Sequence, residues 1–130
     1  MVVKRLRVYT KATGFVEIEL LYDRNPKTVN AVLRVLPIES MALRWGDEVY
    51  FEVPVYIEKE NAQEIVEKGD VAYWDTGHCI CIFFGPTPAT MRDEIRAAEP
   101  VNVFGRVIGD PEVFRRVRSG DKIRLELVRS

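Results

Sequence analysis

Histidine occurs once and cysteine twice in the 130 residues, and all three fall within residues 77–88, GHCICIFFGPTP. That scarcity excludes most metal and thiol chemistry. A bound transition metal needs three or four converging donors. On a strand over residues 79–84, Cys79 and Cys81 share a face with Phe83, whereas His78, Ile80, Ile82 and Phe84 turn to the other. The donors diverge, and no second Cys or His pair exists elsewhere, so no metal and no cofactor is expected. The same geometry separates His78 from the thiol beside it and argues against a Cys–His nucleophile. A disulfide between cysteines one residue apart would strain the backbone. A reduced, cytoplasmic protein is the natural expectation.

Other absences narrow the class further. There are only four Asn and one Gln beside 19 Lys and Arg and 20 Asp and Glu, a balance that recurs in proteins from hot environments. The net charge of -1 advertises no nucleic-acid partner and no anionic membrane surface. No apolar run approaches the roughly 18 residues of a membrane span. The N-terminal MVVKRLRVYTKATG lacks the apolar segment and small-residue cleavage site of a secretory signal. No linker-like stretch divides the chain, so residues 1–130 are expected to form a single domain.

What the sequence has in quantity is period-two alternation. Over residues 48–58, Val49, Phe51, Val53, Val55 and Ile57 share one face, and Glu48, Tyr50, Glu52, Pro54, Tyr56 and Glu58 share the other. This predicts one long, half-buried antiparallel strand with Pro54 at an edge or bulge. RLRVYT, FVEIEL and DKIRLELV alternate in the same way. The first two flank residues 11–14, a short Gly-containing hairpin loop. Gly46-Asp47, Gly69-Asp70 and Gly120-Asp121 each precede an apolar run and read as turns. Two helices interrupt the strands. One opens at Asn25-Pro26, carries Val29, Val32, Leu33 and Leu36 at helical spacing, and closes at Pro37. The other has Asp110 as N-cap and Pro111 at its first position, and stops at Ser119-Gly120. About seven or eight strands with only two short helices suggest a closed barrel. Its interior would be filled by side chains, leaving an outer face or a loop-bordered groove for any ligand.

VEIELLYDRNPKTVNAV, the IFF of Ile82 to Phe84, and above all VNVFGRVIGDPEVFRRV follow an order of elements that resembles the cyclophilins. LPIESMALRWGDEVYF and GDVAYWDTGHCICIFFGPTPAT resemble something narrower, the small prokaryotic cyclophilin-like proteins of uncharacterised activity. The resemblance implies a closed, eight-stranded cyclophilin-like barrel with two helices. Cyclophilins are known for peptidyl-prolyl isomerisation, with an arginine in a Phe-His-Arg strand followed by Gln-Gly-Gly. Here the corresponding strand reads Val49-Tyr50-Phe51-Glu52-Val53, and neither motif is present.

Fold does not carry function, so the candidate site comes from the residues. Tyr73-Trp74 places two aromatics on opposite faces of one strand, so one of them faces outward. His78 sits in the turn before the cysteine strand, and Gly85-Pro86-Thr87-Pro88 stiffens its exit. The expected reading is a binding module whose groove is bordered by Tyr73, Trp74, His78, Phe84, Thr87 and Pro88 and accepts a peptide or small molecule. Residues 90–100, as a short helix or charged loop, are a candidate lid. The enzyme alternative is a weak prolyl isomerase using a displaced arginine, among Arg44, Arg92, Arg96 and Arg106. A homodimer that buries the outward aromatics is the third reading.

Overall fold

A computed structural model describes residues 3–128 of the chain, so the ends of the expected 1–130 domain lie outside the described residues. Ten strands form the sheet: β1 (Arg5–Thr10), β2 (Gly14–Leu20), β3 (Ile38–Met41), β4 (Leu43–Arg44), β5 (Glu48–Glu52), β6 (Gln63–Val66), β7 (Asp70–Trp74), β8 (Cys79–Phe83), β9 (Ile95–Val107) and β10 (Lys122–Leu127). Helix α1 (Pro26–Arg34) follows β2, and a 3-10 helix (Pro111–Arg116) precedes β10. Both start where the sequence places them, each with proline in its first turn and Asp110 accepting from the Glu112 N–H at 3.0 Å. None of these helices is long and apolar enough to cross a membrane.

Every ladder is antiparallel, and the strands run in the order β3-β10-β1-β2-β9-β7-β8-β5-β4, with β6 added to β9. The closed eight-stranded barrel is therefore corrected. The end strands β3 and β4 are successive pieces of chain separated only by Ala42, so the sheet curls back on itself. Yet no ladder joins β3 to β4 or β5 among the described residues. Ser40 Oγ instead donates to the Glu52 carbonyl at 2.8 Å across the gap.

The concave side holds the main core. Val8, Ile18, Val32, Phe51, Tyr73, Ile80, Ile82, Phe84, Phe104, Phe114 and Leu125 are all buried there. Inward alternation over residues 48–58 persists, with Val49, Phe51, Val53 and Val55 buried, but the strand itself ends at Glu52. Pro54 explains the break, because a residue without an N–H cannot continue the ladder.

A second apolar cluster covers the convex side. Strand β9 is 13 residues long, and its two halves do different work. Val103 to Val107 lie in the sheet between β2 and β7, whereas Ile95 to Val101 pair with β6 and lie over the outer face of β7 and β8. The shift of register between Val71 and Ala72 marks the bulge where β9 departs. Beneath this flap Val66, Ala72, Cys79, Cys81, Phe83, Ala97, Val101 and Val103 are buried together. Of residues 90–100, the first five form a short loop and the rest the first half of β9, so no helix forms there. Strand β8, buried on both faces, reads as a continuous apolar run for that reason.

Buried polar side chains tie the irregular segment after β5 to this frame. Asn102 accepts from the Glu60 N–H at 2.9 Å and donates to Thr28 Oγ1 at 3.1 Å. Asn25 donates to the Val103 carbonyl at 2.6 Å and accepts from the Asn61 N–H at 2.7 Å. Asn25 therefore gives no side-chain cap to α1. That duty falls to Glu60, whose carboxylate accepts the Lys27 and Thr28 N–H groups, each at 3.1 Å.

Candidate functional site

Where the β6–β9 flap stops short of covering the sheet, a cavity of about 220 Å³ opens on the convex face. Trp45, Glu48 and Tyr50 form one side, Cys81, Phe83 and Trp74 the floor and far side, and Ala97, Ala98 and Val101 of the flap the roof. Strand alternation produces this lining. Glu48 and Tyr50 are two apart on β5, Cys81 and Phe83 two apart on β8, and Glu48 is paired with Phe83 and Tyr50 with Cys81 in register.

The motif Trp45-Gly46-Asp47-Glu48 builds the mouth. Trp45 and Glu48 exchange backbone hydrogen bonds at 3.0 and 3.2 Å around a two-residue turn, which sets their side chains close together. Gly46 has φ of +60°, in the left-handed region that such turns require, and Pro88 packs too close to admit a side chain there. Trp74 is fixed from two directions. Its indole N–H donates to Glu99 at 2.7 Å, and Gly77 lies so close under the ring that a methyl group would overlap it. The Trp74 and Tyr50 rings meet edge to face, 82° apart with centroids at 6.5 Å.

Glu48 is the one carboxyl of the cavity, only 6% exposed. Burial penalises its charged form and pushes its pKa up from 4.5 to about 7, although a hydrogen bond from Cys81 pulls the other way. No Lys or Arg pairs with it among the described residues. The thiols beside it are inert. Cys79 is raised to about 11, and Cys81, fully buried, stands well above the ordinary thiol, in both cases mainly through burial.

Of the six residues expected to border a groove, Trp74 lines this cavity and the others lie elsewhere. Tyr73, its neighbour, points into the main core and donates its hydroxyl to the Val55 carbonyl. His78 has φ of +52° and stacks edge-on against Tyr56 at 4.7 Å, with Nδ1 3.3 Å from the Tyr73 hydroxyl. Phe84 is fully buried in the main core. Thr87 is turned into its own loop: its hydroxyl donates to the Arg96 carbonyl and accepts from the Ala89 N–H at 3.1 Å. Pro88 is exposed on its outer side and packs on Gly46. Tyr73 and His78 thus meet near Tyr56, while Thr87 and Pro88 buttress the Trp45–Glu48 turn.

Three of the four candidate arginines are engaged in structure, and the fourth, Arg92, is exposed. Arg44 lies 5.0 Å from the Phe84 ring centroid, but its N–H groups go to the carbonyls of Gly46, Arg115 and Val117. Arg96 is held by Glu64 and Glu94, and Arg106 by Asp70 and Glu67. No arginine lines the cavity. Among the described residues no group of three or more His, Cys, Asp or Glu could hold a metal ion.

Sequence reasoning missed Glu48, Trp45 and Tyr50 as site residues. Glu48 alternates with core positions on the face opposite Val49 and Phe51, and nothing local says that a flap from residues 95–101 covers it. The available signal was the compact Trp-Gly-Asp-Glu turn itself, which brings an aromatic and a carboxyl together.

Comparison with known proteins agrees with this architecture. The chain is similar to the solution structure of a hypothetical protein from Archaeoglobus fulgidus, with 44% identity, a TM-score of 0.82, and coverage of 98% of this chain and 96% of that one. It also shares its fold with McbB, solved in complex with tryptophan, at a TM-score of 0.73 and 15% identity, covering 93% of this chain but 44% of that one. No curated protein matches. The family model described as cyclophilin-like matches residues 4–126. The chain belongs to the cyclophilin-like family.

Proposed function

We propose that this protein is a binding module for a small molecule, and that its site is the convex-face cavity between the Trp45–Glu48 turn and the β6–β9 flap. The observation that carries the reading is a preformed apolar space with a single buried carboxyl at its edge. Mostly apolar walls supply affinity, and one placed polar group supplies orientation, which is how small-molecule sites are commonly built. A volume of about 220 Å³ favours a compact ligand over a peptide, since pockets for drug-sized ligands span about 300–1,000 Å³. The cytoplasmic setting expected from the free thiols belongs to the same proposal. The isomerase alternative gains nothing from the cavity, which offers no arginine to a prolyl nitrogen.

Both tryptophans of the chain line the cavity, so intrinsic emission reports directly on its contents. A library of small aromatic and aliphatic fragments, titrated while following tryptophan emission and thermal unfolding, tests the reading. At least one fragment should shift emission saturably and raise the melting temperature. If no fragment does either up to its solubility limit, the cavity is not a ligand site.

A further inference from the structure

The cavity combines aromatic walls with a carboxyl that lacks a counter-ion, and this combination selects for charge. We infer that its ligand is a small organic cation, an amine or quaternary ammonium group seated against Trp45, Tyr50 and Trp74 with Glu48 as its counter-ion. The inference rests on the reading of the cavity as a small-molecule site and adds the chemical class of the ligand.

The strongest support is a contrast within the chain. Asp70 is also fully buried, and there Arg106 closes on the carboxylate at 3.3 Å while the Glu67 N–H donates to it at 2.9 Å. Glu48 is comparably buried, at 6% exposure, but has no cation beside it among the described residues. A buried carboxylate without a partner is costly, and a bound cation would remove that cost. The nearest arginine in sequence, Arg44, is turned away to three backbone carbonyls.

The walls fit the same guest. Aromatic faces attract cations through their quadrupole, most strongly from tryptophan. Two tryptophans and a tyrosine surround this space, and the perpendicular arrangement of Trp74 and Tyr50 lets one ring present its face where the other presents its edge. An anion would meet the carboxyl and no compensating base. A neutral apolar ligand would leave the carboxyl without a counter-ion, as before.

Nothing else in the cavity competes for charge. Facing Glu48 are Cys81 and Cys79 from β8 and Tyr50 from β5, and each is held toward its neutral form by burial. Strand β7 contributes Trp74, and β9 contributes Ala97, Ala98 and Val101, none of which ionises in this range; the Glu99 carboxylate behind the Trp74 indole has its pKa lowered by that hydrogen bond and stays charged throughout. Cation binding is therefore linked to the Glu48 proton alone and should strengthen as pH rises through about 7.

Two matched pairs of probes test this: choline against its neutral isostere 3,3-dimethylbutan-1-ol, and benzylamine against benzyl alcohol, each titrated by tryptophan emission at pH 8 and pH 5.5. In at least one pair the cation should bind about tenfold tighter at pH 8, with the preference shrinking at pH 5.5. In Glu48→Gln the preference should vanish. If the alcohols bind as tightly as the cations, or if the preference survives in Glu48→Gln, the cation inference is overturned and the small-molecule reading stands. If none of the four probes is bound, the cation inference falls, and the small-molecule reading is decided by the fragment titration. Should Glu48→Gln fail to fold, the pH series on the unaltered protein decides alone: a cation preference independent of pH overturns the inference.

Discussion

The Cys81 thiol is hydrogen-bonded to the Glu48 carboxyl on the convex face of the sheet, and burial holds both groups in their neutral forms. The bond favours ionised Glu48, but burial outweighs it and leaves the pKa at about 7. The carboxyl thus holds its proton more tightly in the folded than in the unfolded chain. Its stabilising effect is complete below the ordinary value of 4.5 and is lost as pH rises through about 7.

Glu48→Gln should remove this pH dependence. Between pH 4.5 and pH 8 the wild-type protein should lose stability relative to the variant by on the order of 3 kcal/mol, as other titrating groups cancel in the difference. Urea unfolding of both proteins across that range measures it. A flat difference would show that the carboxyl is not buried in solution.

The thiols should behave as packing groups. Only the thiolate attacks an alkylating agent, and both cysteines are held well above neutrality, Cys79 at about 11. In native protein at pH 8 neither should react appreciably with iodoacetamide, whereas both should label in denaturant. Intact-mass spectrometry distinguishes the two cases, and rapid native labelling of Cys81 would mean that the flap opens.

Much of this was legible in the chain because it depends on short-range geometry. Cys79 and Cys81 part from Ile80 and Ile82 as strand alternation requires, and Tyr73 and Trp74 take opposite faces. Asp110 and Pro111 open a helix where expected. What escaped depends on long-range coverage. Alternation cannot tell whether the face carrying Glu48 and Tyr50 meets water or a strand 50 residues away. Nor does it reveal that Thr87 spends its hydroxyl on its own loop. The end of β5 at Glu52 was foreshadowed by Pro54, but the inward pattern through Val55 outlasted the ladder, since core packing and strand pairing are separate requirements.

Gly77 is predicted to set the orientation of Trp74. A methyl group at residue 77 overlaps the indole, so Gly77→Ala should force the ring outward and break its bond to Glu99. The expected results are tryptophan emission shifted to longer wavelength and a stability loss of about 1–3 kcal/mol, as for other overpacked sites. Any ligand of the cavity should bind more weakly. Unchanged emission would place the indole elsewhere.

The roof of the cavity depends on Glu94. Its carboxylate accepts from the Met91 N–H at 3.0 Å, the Arg92 N–H at 2.9 Å and Arg96 Nε at 3.0 Å, closing the turn from which β9 sets out toward Ala97 and Ala98. Backbone donors, with Arg96 beside them, pull its pKa from 4.5 down to about 2. Because the folded-state value is depressed, the stabilisation is present above 4.5 and is lost as pH falls toward 2. In an NMR titration the Met91 and Arg92 amides should therefore shift with a midpoint near 2. In Glu94→Gln that transition should disappear, and amide exchange should quicken through residues 91–98 while β1 and β10 keep their protection. A midpoint near 4.5 would mean that the turn does not hold the carboxylate, and that the roof is carried by its pairing with β6 alone.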